Sequence, residues 1–446
     1  MAEYGLPQRL LSLWDHLGLD VAHVAGQMPG DIAGLVALAP ERVGALALCV
    51  PTRLDPAGFA SVSDRVLLIG AEHGLSASVT ARGATMLPGA QRVVLQGYDA
   101  PGWADVTADR GGAVVAALTS AAAGSLATAP IGLAGRSGEH AGIRWRTEGR
   151  GPALVLFPFF LAPSQWEPVV SALAQRFTVV LLGGPHLGGV AALEDRAHSP
   201  SYIGMVETMF RLLGVENCRA VLDVGCGSGA LDRLLAPRLP QGGRITATDL
   251  NRFLLAEAGA LAEAEGLGTF IRFTEGNAEA LSFPDAAFDC AFSVTVLEEC
   301  DADRALAELV RVVRPGGRVG VIVRAIDLPQ FWHLDLPEAI RRKVAAPPQS
   351  VGPGGAADAS LYRRMRAAGL ADVRGFPSLV TLDDPSGPIW RYREDHALSL
   401  LDEPETAVWR NSAAAARREE LLFQTHAMHC AVGVRPSRLE GPPAAP

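Results

Sequence analysis

One stretch of the sequence decides the fold of the second half of this chain: Ala220-Val221-Leu222-Asp223-Val224-Gly225-Cys226-Gly227-Ser228-Gly229. Its first five residues are mostly apolar and predict a buried strand, and the three glycines predict a tight turn. A helix is expected from Ala230 to about Arg238. Strand, glycine turn and helix in this order form the first half of a nucleotide-binding βαβ unit. The glycines let the backbone approach a ligand closely, and the helix start offers free N–H groups to an anion.

A second strand is predicted from Arg244 to Thr248, and it ends in Asp249. An acidic residue at this position can hold both ribose hydroxyls of a nucleoside cofactor. A glycine turn followed by such an acid is, taken alone, equally compatible with a dinucleotide and with a sulfonium cofactor.

Three downstream motifs accompany the glycine turn at regular spacing: Glu275–Asp285, Phe288–Ser293 and Ala307–Arg318. Together the four motifs resemble class I S-adenosylmethionine-dependent methyltransferases of the small-molecule, quinone-biosynthesis-like type. The resemblance covers residues 200–325 well and extends weakly to about 435. It implies an α/β, Rossmann-like methyltransferase domain with S-adenosyl-L-methionine as cofactor.

The resemblance also implies a set of cofactor-binding residues: Tyr202, Asp223, Gly225, Cys226, Gly227, Asp249, Leu250, Asn277, Ala278 and Ser293. Asp223 and the turn 225–227 would hold the methionine part. Asp249 would bind the ribose, with Leu250 against the adenine.

The remaining residues of this set have individual roles. Asn277 and Ala278 would line the adenine edge, although the family usually has Asp in the place of Asn277. An amide can still accept from the adenine amino group and donate to a ring nitrogen. Ser293 would lie near the sulfonium, and Tyr202 would cover the cofactor.

A general base is needed only if the acceptor is a poorly ionised hydroxyl or a carbon acid. Glu299 occupies a position where many relatives have His, and His333 lies in the region where relatives build the acceptor site. We name both as candidate catalytic residues. The alternatives are a helix-start carboxylate favoured by the helix dipole for Glu299 and an ordinary loop histidine for His333.

The front half resembles an α/β-hydrolase that has lost its catalytic residues. Met28 stands where the G-x-S-x-G turn of that fold carries its serine, and a thioether cannot act as the nucleophile. Gly74 occupies the place of the acid and Asp99 the place of the histidine. The strands at 153–157 and 178–182 resemble early strands of the same fold, although they follow the late ones. A circularly permuted or truncated, catalytically dead domain is therefore predicted, with a generic α/β domain as the alternative.

The predicted organisation has three parts: a hydrolase-like domain at 1–198 with a linker at about 124–138, a methyltransferase domain at 199–435, and a disordered tail at 436–446. The methyltransferase domain is divided into a core at 218–325 and an acceptor-side region at 326–435. Residues 327–400 are expected to be irregular apart from one helix at 359–368. The front domain would either shape the acceptor pocket or form an interface between copies of the chain.

Composition excludes several classes of function. The net charge of −9 and the pI near 5.6 argue against a nucleic-acid partner, which requires clustered Lys and Arg. The sequence predicts no signal peptide, no membrane span and no zinc or disulfide pattern, which is typical of a cytoplasmic protein. Lys343 is the sole lysine, as is common in proteins from GC-rich bacterial genomes.

The sequence therefore predicts O- or C-methylation of a small-molecule acceptor, in bacterial secondary metabolism. The alternative is a protein that binds S-adenosylmethionine without transferring a methyl group, as a cyclase or in a structural or regulatory role. An active hydrolase is disfavoured by Met28.

Overall fold

A computed structural model describes residues 5–99, 105–123, 132–184, 187–349, 351–352, 354–385 and 387–437. The chain divides into two compact units, residues 1–192 and 193–446. The predicted boundary at 198/199 falls later than this division because Glu194 and Arg196 contact residues of the second unit. Most of the predicted linker, and the predicted tail beyond residue 437, lie outside the described residues.

The first unit alternates helices and strands. Its helices are α1 (Leu6–Leu17), α2 (Pro29–Leu38), α3 (Gly74–Met86), α4 (Val106–Ala122) and α5 (Glu167–Leu173). Its strands are β1 (Ala22–Gly26), β2 (Val43–Cys49), β3 (Val66–His73), β4 (Gln91–Asp99), β5 (Ser137–His140), β6 (Ile143–Glu148), β7 (Ala153–Leu156) and β8 (Thr178–Gly183). The helix α6 (Gly188–His198) contains the division between the units.

All eight strands of the first unit join one sheet, in the order β4-β3-β2-β1-β7-β8-β6-β5. The strands from β4 to β8 in this order are parallel, and β6 pairs antiparallel with both β8 and β5. The strand β7, which comes late in the first unit, therefore lies directly beside β1. This order is compatible with a permuted chain, and the hydrolase-like assignment remains a prediction.

The second unit continues the helix numbering with α7 (Pro200–Leu213), α8 (Ala230–Leu235), α9 (Arg252–Ala264), α10 (Ala302–Val312), α11 (Glu338–Val344), α12 (Ser360–Ala367), α13 (Pro388–Ser399) and α14 (Glu403–Arg418). Its strands are β9 (Ala220–Val224), β10 (Arg244–Asp249), β11 (Ile271–Glu275), β12 (Phe288–Val294), β13 (Val313–Arg324), β14 (Phe331–Trp332), β15 (Ala371–Gly375), β16 (Ser378–Leu382) and β17 (Gln424–Val434).

The strand order of this unit is β11-β10-β9-β12-β13-β17-β14, with β15 and β16 also paired to β17. The strands from β11 to β13 are parallel, and β17 runs antiparallel to β13. The chain order reverses between β9 and β12. In parallel sheets of this kind, ligands bind outside the carboxyl ends of the strands at that switch point.

Apolar side chains cover both faces of the second sheet. One face packs against α7, α8 and α9, where the rings of Phe210 and Phe292 meet edge to face at 5.5 Å. The other face packs against α10 and α12. A separate cluster surrounds Trp332, whose ring makes edge-to-face contacts with Trp390 and Trp409. No described helix is long and apolar enough to cross a membrane.

One prediction on secondary structure was wrong. The segment 327–400 is not irregular, because it contains three strands and three helices, and its tryptophans explain this by forming a core of their own. The helix predicted from Ala230 to Arg238 has six α-helical residues, followed by a 3₁₀ turn that contains Pro237. Proline lacks the N–H that would continue the helix.

We predict that Phe292→Ala destabilises the second unit by about 3–5 kcal/mol, because it removes a fully buried ring from a packed face. The matched control is Phe331→Ala, since Phe331 is 56% exposed. That variant should change the free energy of unfolding by less than about 0.5 kcal/mol. Denaturant unfolding followed by far-ultraviolet circular dichroism measures both. Equal losses in the two variants would contradict the packing described above.

Candidate active site

The glycine turn after β9 is held against the end of β10 by three backbone amides. Gly225 and Cys226 both donate to the carbonyl of Thr248, at 2.7 and 2.9 Å. The amide of Gly227 donates to Oδ2 of Asp249 at 3.0 Å. Gly225 has φ of +80°, and a Cβ atom there would overlap the side chain of Val296. Only glycine adopts this positive φ without strain and also leaves room for Val296, as the sequence predicts.

Asp249 ends β10 where the sequence predicts it. Its Oδ1 accepts from the amide of Asn251 at 3.0 Å, in addition to the bond from Gly227 to Oδ2. Burial raises the pKa of this carboxyl, while the backbone N–H groups of Asn251 and Gly227 act in the opposite direction. Each oxygen has a further lone pair for a ligand hydroxyl. The adjacent Leu250 is 67% exposed, as expected of an apolar side chain that covers a flat ring.

A buried ion-pair network supports the turn from behind. The hydroxyl of Ser228 donates to Oε1 of Glu194 at 2.5 Å, and Arg233 contacts Oε2 of the same carboxylate at 2.5 Å. Arg233 also donates to the carbonyl of Ser228 and pairs with Glu265 at 2.8 Å. The sequence analysis did not identify these residues, because Glu194 precedes the glycine turn by a whole helix.

Asp223 and Asp232 form a buried carboxyl pair beside the turn. Their exposed fractions are 2% and 0%, and no described residue donates a hydrogen bond to the carboxylate of Asp232. Burial raises the pKa of Asp223 well above its usual range and that of Asp232 to about 8. Since burial and the neighbouring carboxylate both disfavour the charged form, the pair retains a proton at neutral pH. Asp232 was not among the residues predicted from the sequence.

Tyr202 is buried in the structure, and its role as a cover of the cofactor stays a prediction. It lies on α7 and is 1% exposed, with the guanidinium of Arg196 4.9 Å from its ring centre. Its hydroxyl has no hydrogen-bond partner among the described residues. The helix that carries Tyr202 packs its apolar side onto the sheet.

Asn277 and Ala278 follow β11, on the side of the crevice expected for an adenine. The Oδ1 of Asn277 already accepts from the amide of Glu279 at 2.9 Å. One lone pair of that oxygen and the NH₂ group remain for a ligand. Ala278 is half-buried and packs against the core on the α10 face.

Ser293 lies near the end of β12, but its side chain is fully buried and its hydroxyl donates to the carbonyl of Val224 at 2.9 Å. This bond ties β12 to β9 directly before the glycine turn. The next residue but one, Thr295, has φ of +57°, which is unusual for a β-branched residue. Its hydroxyl accepts from Arg196 at 3.0 Å. Strained residues of this kind cluster at functional sites.

The two candidate catalytic residues are not brought to the crevice as free bases. Glu299 is half-exposed and paired with Arg324 at 3.3 Å. Its neighbour Glu298, which the sequence analysis passed over, is fully buried, accepts from the amide of Arg324 at 2.8 Å, and has a pKa raised by burial. His333 is exposed, stacks on Phe423 with ring centres 4.4 Å apart, and contacts the carbonyl of Leu421.

The groups around the turn fit a ligand that carries positive charge. Asp223 and Asp232 lack a cation as direct partner in the described chain, and the Tyr202 hydroxyl lacks any partner. The ammonium group and sulfonium of S-adenosylmethionine are positive, and its ribose matches the acceptor atoms of Asp249. The residues present therefore fit the cofactor that the resemblance implies.

The first unit contains the three positions that correspond to the catalytic residues of a hydrolase: Met28, Gly74 and Asp99. Gly74 and Asp99 lie together, since a Cβ at residue 74 would overlap the carboxylate of Asp99. Met28, which follows β1, has φ of −93° and ψ of 96°. The strained backbone that presents a hydrolase nucleophile is therefore absent at Met28.

Residues 222–321 match the protein family described as "Methyltransferase domain". The chain is 36% identical over 110 residues to the ubiquinone/menaquinone biosynthesis C-methyltransferase UbiE of Hahella chejuensis, a match that covers 24% of this chain and 44% of that protein. It is 32% identical over 110 residues to the sterol 24-C-methyltransferase ERG6B of Gibberella zeae, covering 24% and 28%. The chain thus matches less than half the length of these relatives.

Similar solved structures include the YcgJ protein of Bacillus subtilis, with 19% identity, a TM-score of 0.36, and coverage of 52% of this chain and 99% of that one. The [4+2]-cyclase SpnF has 21% identity, a TM-score of 0.34, and coverage of 53% and 82%.

We predict that Asp232→Asn makes the protein more stable at pH 7–8. The folded state binds the Asp232 proton with a pKa of about 8, against 3.8 for the ordinary group. The stability that depends on this proton is therefore fully present below about pH 4 and is lost as the pH approaches 8. Asparagine keeps an amide donor for Asp223 and does not ionise. The gain at pH 7.5 should be at least about 1 kcal/mol, measured by denaturant unfolding between pH 5 and 8.

The control for this variant is Asp335→Asn, because Asp335 is exposed. Its stability profile should follow that of the unchanged protein. A profile for Asp232→Asn that keeps the original slope would show that the pair does not hold a proton.

Proposed function

We propose that this chain, which carries a methyltransferase domain at residues 222–321, transfers a methyl group from S-adenosylmethionine to a small-molecule acceptor. The observation that carries the proposal is the glycine turn fixed to Asp249 beside two buried carboxyls. The named relatives are C-methyltransferases, and this favours a carbon acceptor over an oxygen acceptor.

Each part of the crevice has a task in this proposal. Asp249 would bind the ribose hydroxyls, Leu250 would cover the adenine, and the NH₂ group of Asn277 would donate to a ring nitrogen. Asp223 and Asp232 would face the methionine part and compensate its positive charge. The bound cofactor supplies an already activated methyl group, so these residues mainly align the reactants and exclude water.

The residues at the carboxyl ends of β12 and β13 would bind the acceptor. Arg324 contacts Glu298 and Glu299 at 3.5 and 3.3 Å, so Glu299 is not a free base in this state, whereas Oε2 of Glu298 has no hydrogen-bond partner among the described residues. Methyl transfer from a sulfonium needs no base when the acceptor is already ionised or strongly nucleophilic. An acceptor of that kind fits the crevice best.

We place the reaction in the bacterial cytoplasm, in secondary metabolism. The sole lysine, Lys343, supports a GC-rich bacterial source, and the six cysteines are all unpaired, which is typical of a reducing compartment. We further propose that the first unit does not hydrolyse substrates through a serine, since Met28 lacks both the hydroxyl and the strained backbone. Covalent labelling of this unit by a serine-directed phosphonate would contradict that proposal.

The test of the cofactor is thermal unfolding and calorimetric titration with S-adenosylhomocysteine and, in parallel, with NAD. We expect saturable binding of S-adenosylhomocysteine and a higher unfolding midpoint, approaching about 2.7 kcal/mol of stabilisation at 100 times the dissociation constant. Asp249→Asn should weaken binding by about 1.5–3 kcal/mol, because it removes a charge-assisted contact to the ribose.

Asp335→Asn again serves as the matched control and should bind with unchanged affinity. Unchanged affinity in Asp249→Asn would place the ribose elsewhere. Binding of NAD without binding of S-adenosylhomocysteine would overturn the methyltransferase proposal and assign the glycine turn to a dinucleotide.

A further inference from the structure

A small cavity lies at the carboxyl end of β13 and is lined by both polar and apolar side chains. Its charged and polar lining comes from Arg324, Tyr392, Arg393 and His426. The rest is apolar: Ala325, Ile326, Leu328, Pro347, Pro348 and Ala427. The family motifs end before this region, and none of its residues was singled out as a binding residue from the sequence.

Arg393, on α13, is a buried cation without an acidic partner in the described chain. Its exposed fraction is 7%, and within the described residues its Nη1 donates a hydrogen bond to Oε1 of Gln330, at 3.0 Å. The Nε–H group has no partner among those residues. Burial lowers the pKa of this guanidinium to about 10, which still leaves it charged at pH 7. Charged side chains are almost never buried unless an opposite charge or a ligand compensates them.

The nearby acidic residues are committed to other groups. Glu394, the next residue in the chain, accepts from the indole N–H groups of Trp390 and Trp409, at 3.1 and 3.2 Å. Glu298 and Glu299 pair with Arg324. The charge of Arg324 is therefore compensated by two carboxylates, whereas Arg393 has no acidic partner in the part of the chain that the structure describes.

A neutral amide frame fixes the position of Arg393. Gln330 is 2% exposed, and its Nε2 donates to the carbonyls of Val344 and Ala346, which directs its oxygen toward the guanidinium. Gln424 donates to the same oxygen at 3.3 Å, and the Oε1 of Gln424 accepts from Nδ1 of His426 at 3.1 Å. This frame orients the guanidinium without neutralising its charge. The frame lies at the same edge of the sheet as the glycine turn.

We propose that Arg393 binds a carboxylate on the methyl acceptor, with the apolar lining of the cavity around the carbon skeleton next to that group. The role of acceptor rests on the proposed function, whereas the anion site itself does not. One guanidinium with free N–H donors matches one carboxylate in a bidentate contact. A phosphate, with more charge and more acceptor atoms, would require further donors than the described lining offers. His426 adds no positive charge, since burial, followed by the charge of Arg393, holds its pKa well below the usual range.

The first test uses butanoate as probe, with butanamide as the neutral analogue of the same shape and inorganic phosphate as the other anion, all at constant ionic strength. We expect saturable binding of butanoate by calorimetry and a raised unfolding midpoint, with no saturable effect of butanamide or phosphate. Arg393→Gln should weaken butanoate binding at least tenfold, and Arg393→Lys should retain part of it.

The matched control is Arg417→Gln, which removes the same charge from an exposed position on α14 and should leave butanoate binding unchanged. Equal butanoate affinity in Arg393→Gln and the unchanged protein would overturn the proposal, as would the absence of saturable binding. Phosphate binding that depends on Arg393 would overturn the assignment to a carboxylate.

A second measurement does not depend on the probe. In chloride buffer without carboxylates, Arg393→Met should unfold at the same temperature as the unchanged protein or higher, because it removes an uncompensated buried charge. A clearly lower midpoint would show that Arg393 is structural. S-adenosylhomocysteine should bind Arg393→Gln normally. Binding of butanoate through Arg393 without binding of S-adenosylhomocysteine would support the anion site and overturn the methyltransferase proposal.

Discussion

The glycine turn after β9 and the carboxylate that ends β10 constrain each other. The amides of Gly225 and Cys226 bond to the backbone of β10, and the amide of Gly227 bonds to Asp249 itself. A side chain at residue 225 would collide with Val296, so the turn can close only without one. The turn then brings Asp249 beside Asp223 at the point where the strand order reverses. The proposed positions of the ribose, the adenine and the methionine part all follow from this contact between the glycine turn and the end of β10.

Charge compensation distinguishes the parts of the second unit. Arg233 is buried among Glu194 and Glu265, so its charge stabilises the turn and needs no ligand. The carboxyl pair of Asp223 and Asp232 has the opposite arrangement, with negative charge that no described cation contacts closely. Arg393 has positive charge without a carboxylate. A buried group without compensation costs free energy in the empty protein, and ligand binding can recover it.

The cofactor side and the acceptor side differ in how they are built. The cofactor side uses the turn directly after β9 and the last residue of β10, so neighbouring residues in the sequence form it. The acceptor side combines the end of β13, the strand β17 and the helix α13, which are distant in the chain. Its apolar support is the tryptophan cluster around Trp332.

The sequence alone determined the strands of the sheet core, the glycine turn and the position of Asp249 at the end of β10, because these depend on local spacing and on residues that lack alternatives. It also gave most strands of the first unit, since short apolar runs bounded by turn residues predict strands well. Only the tertiary structure decided that Tyr202 is buried, that Glu299 is paired with Arg324, and that His333 stacks on Phe423. It alone revealed the buried carboxyl of Asp232, which has no hydrogen-bond partner among the described residues, and the buried guanidinium of Arg393, which has no acidic partner there. The physical reason is that the burial and the charge compensation of a side chain depend on contacts with residues that are distant in the sequence. A motif specifies spacing along the chain but not these contacts.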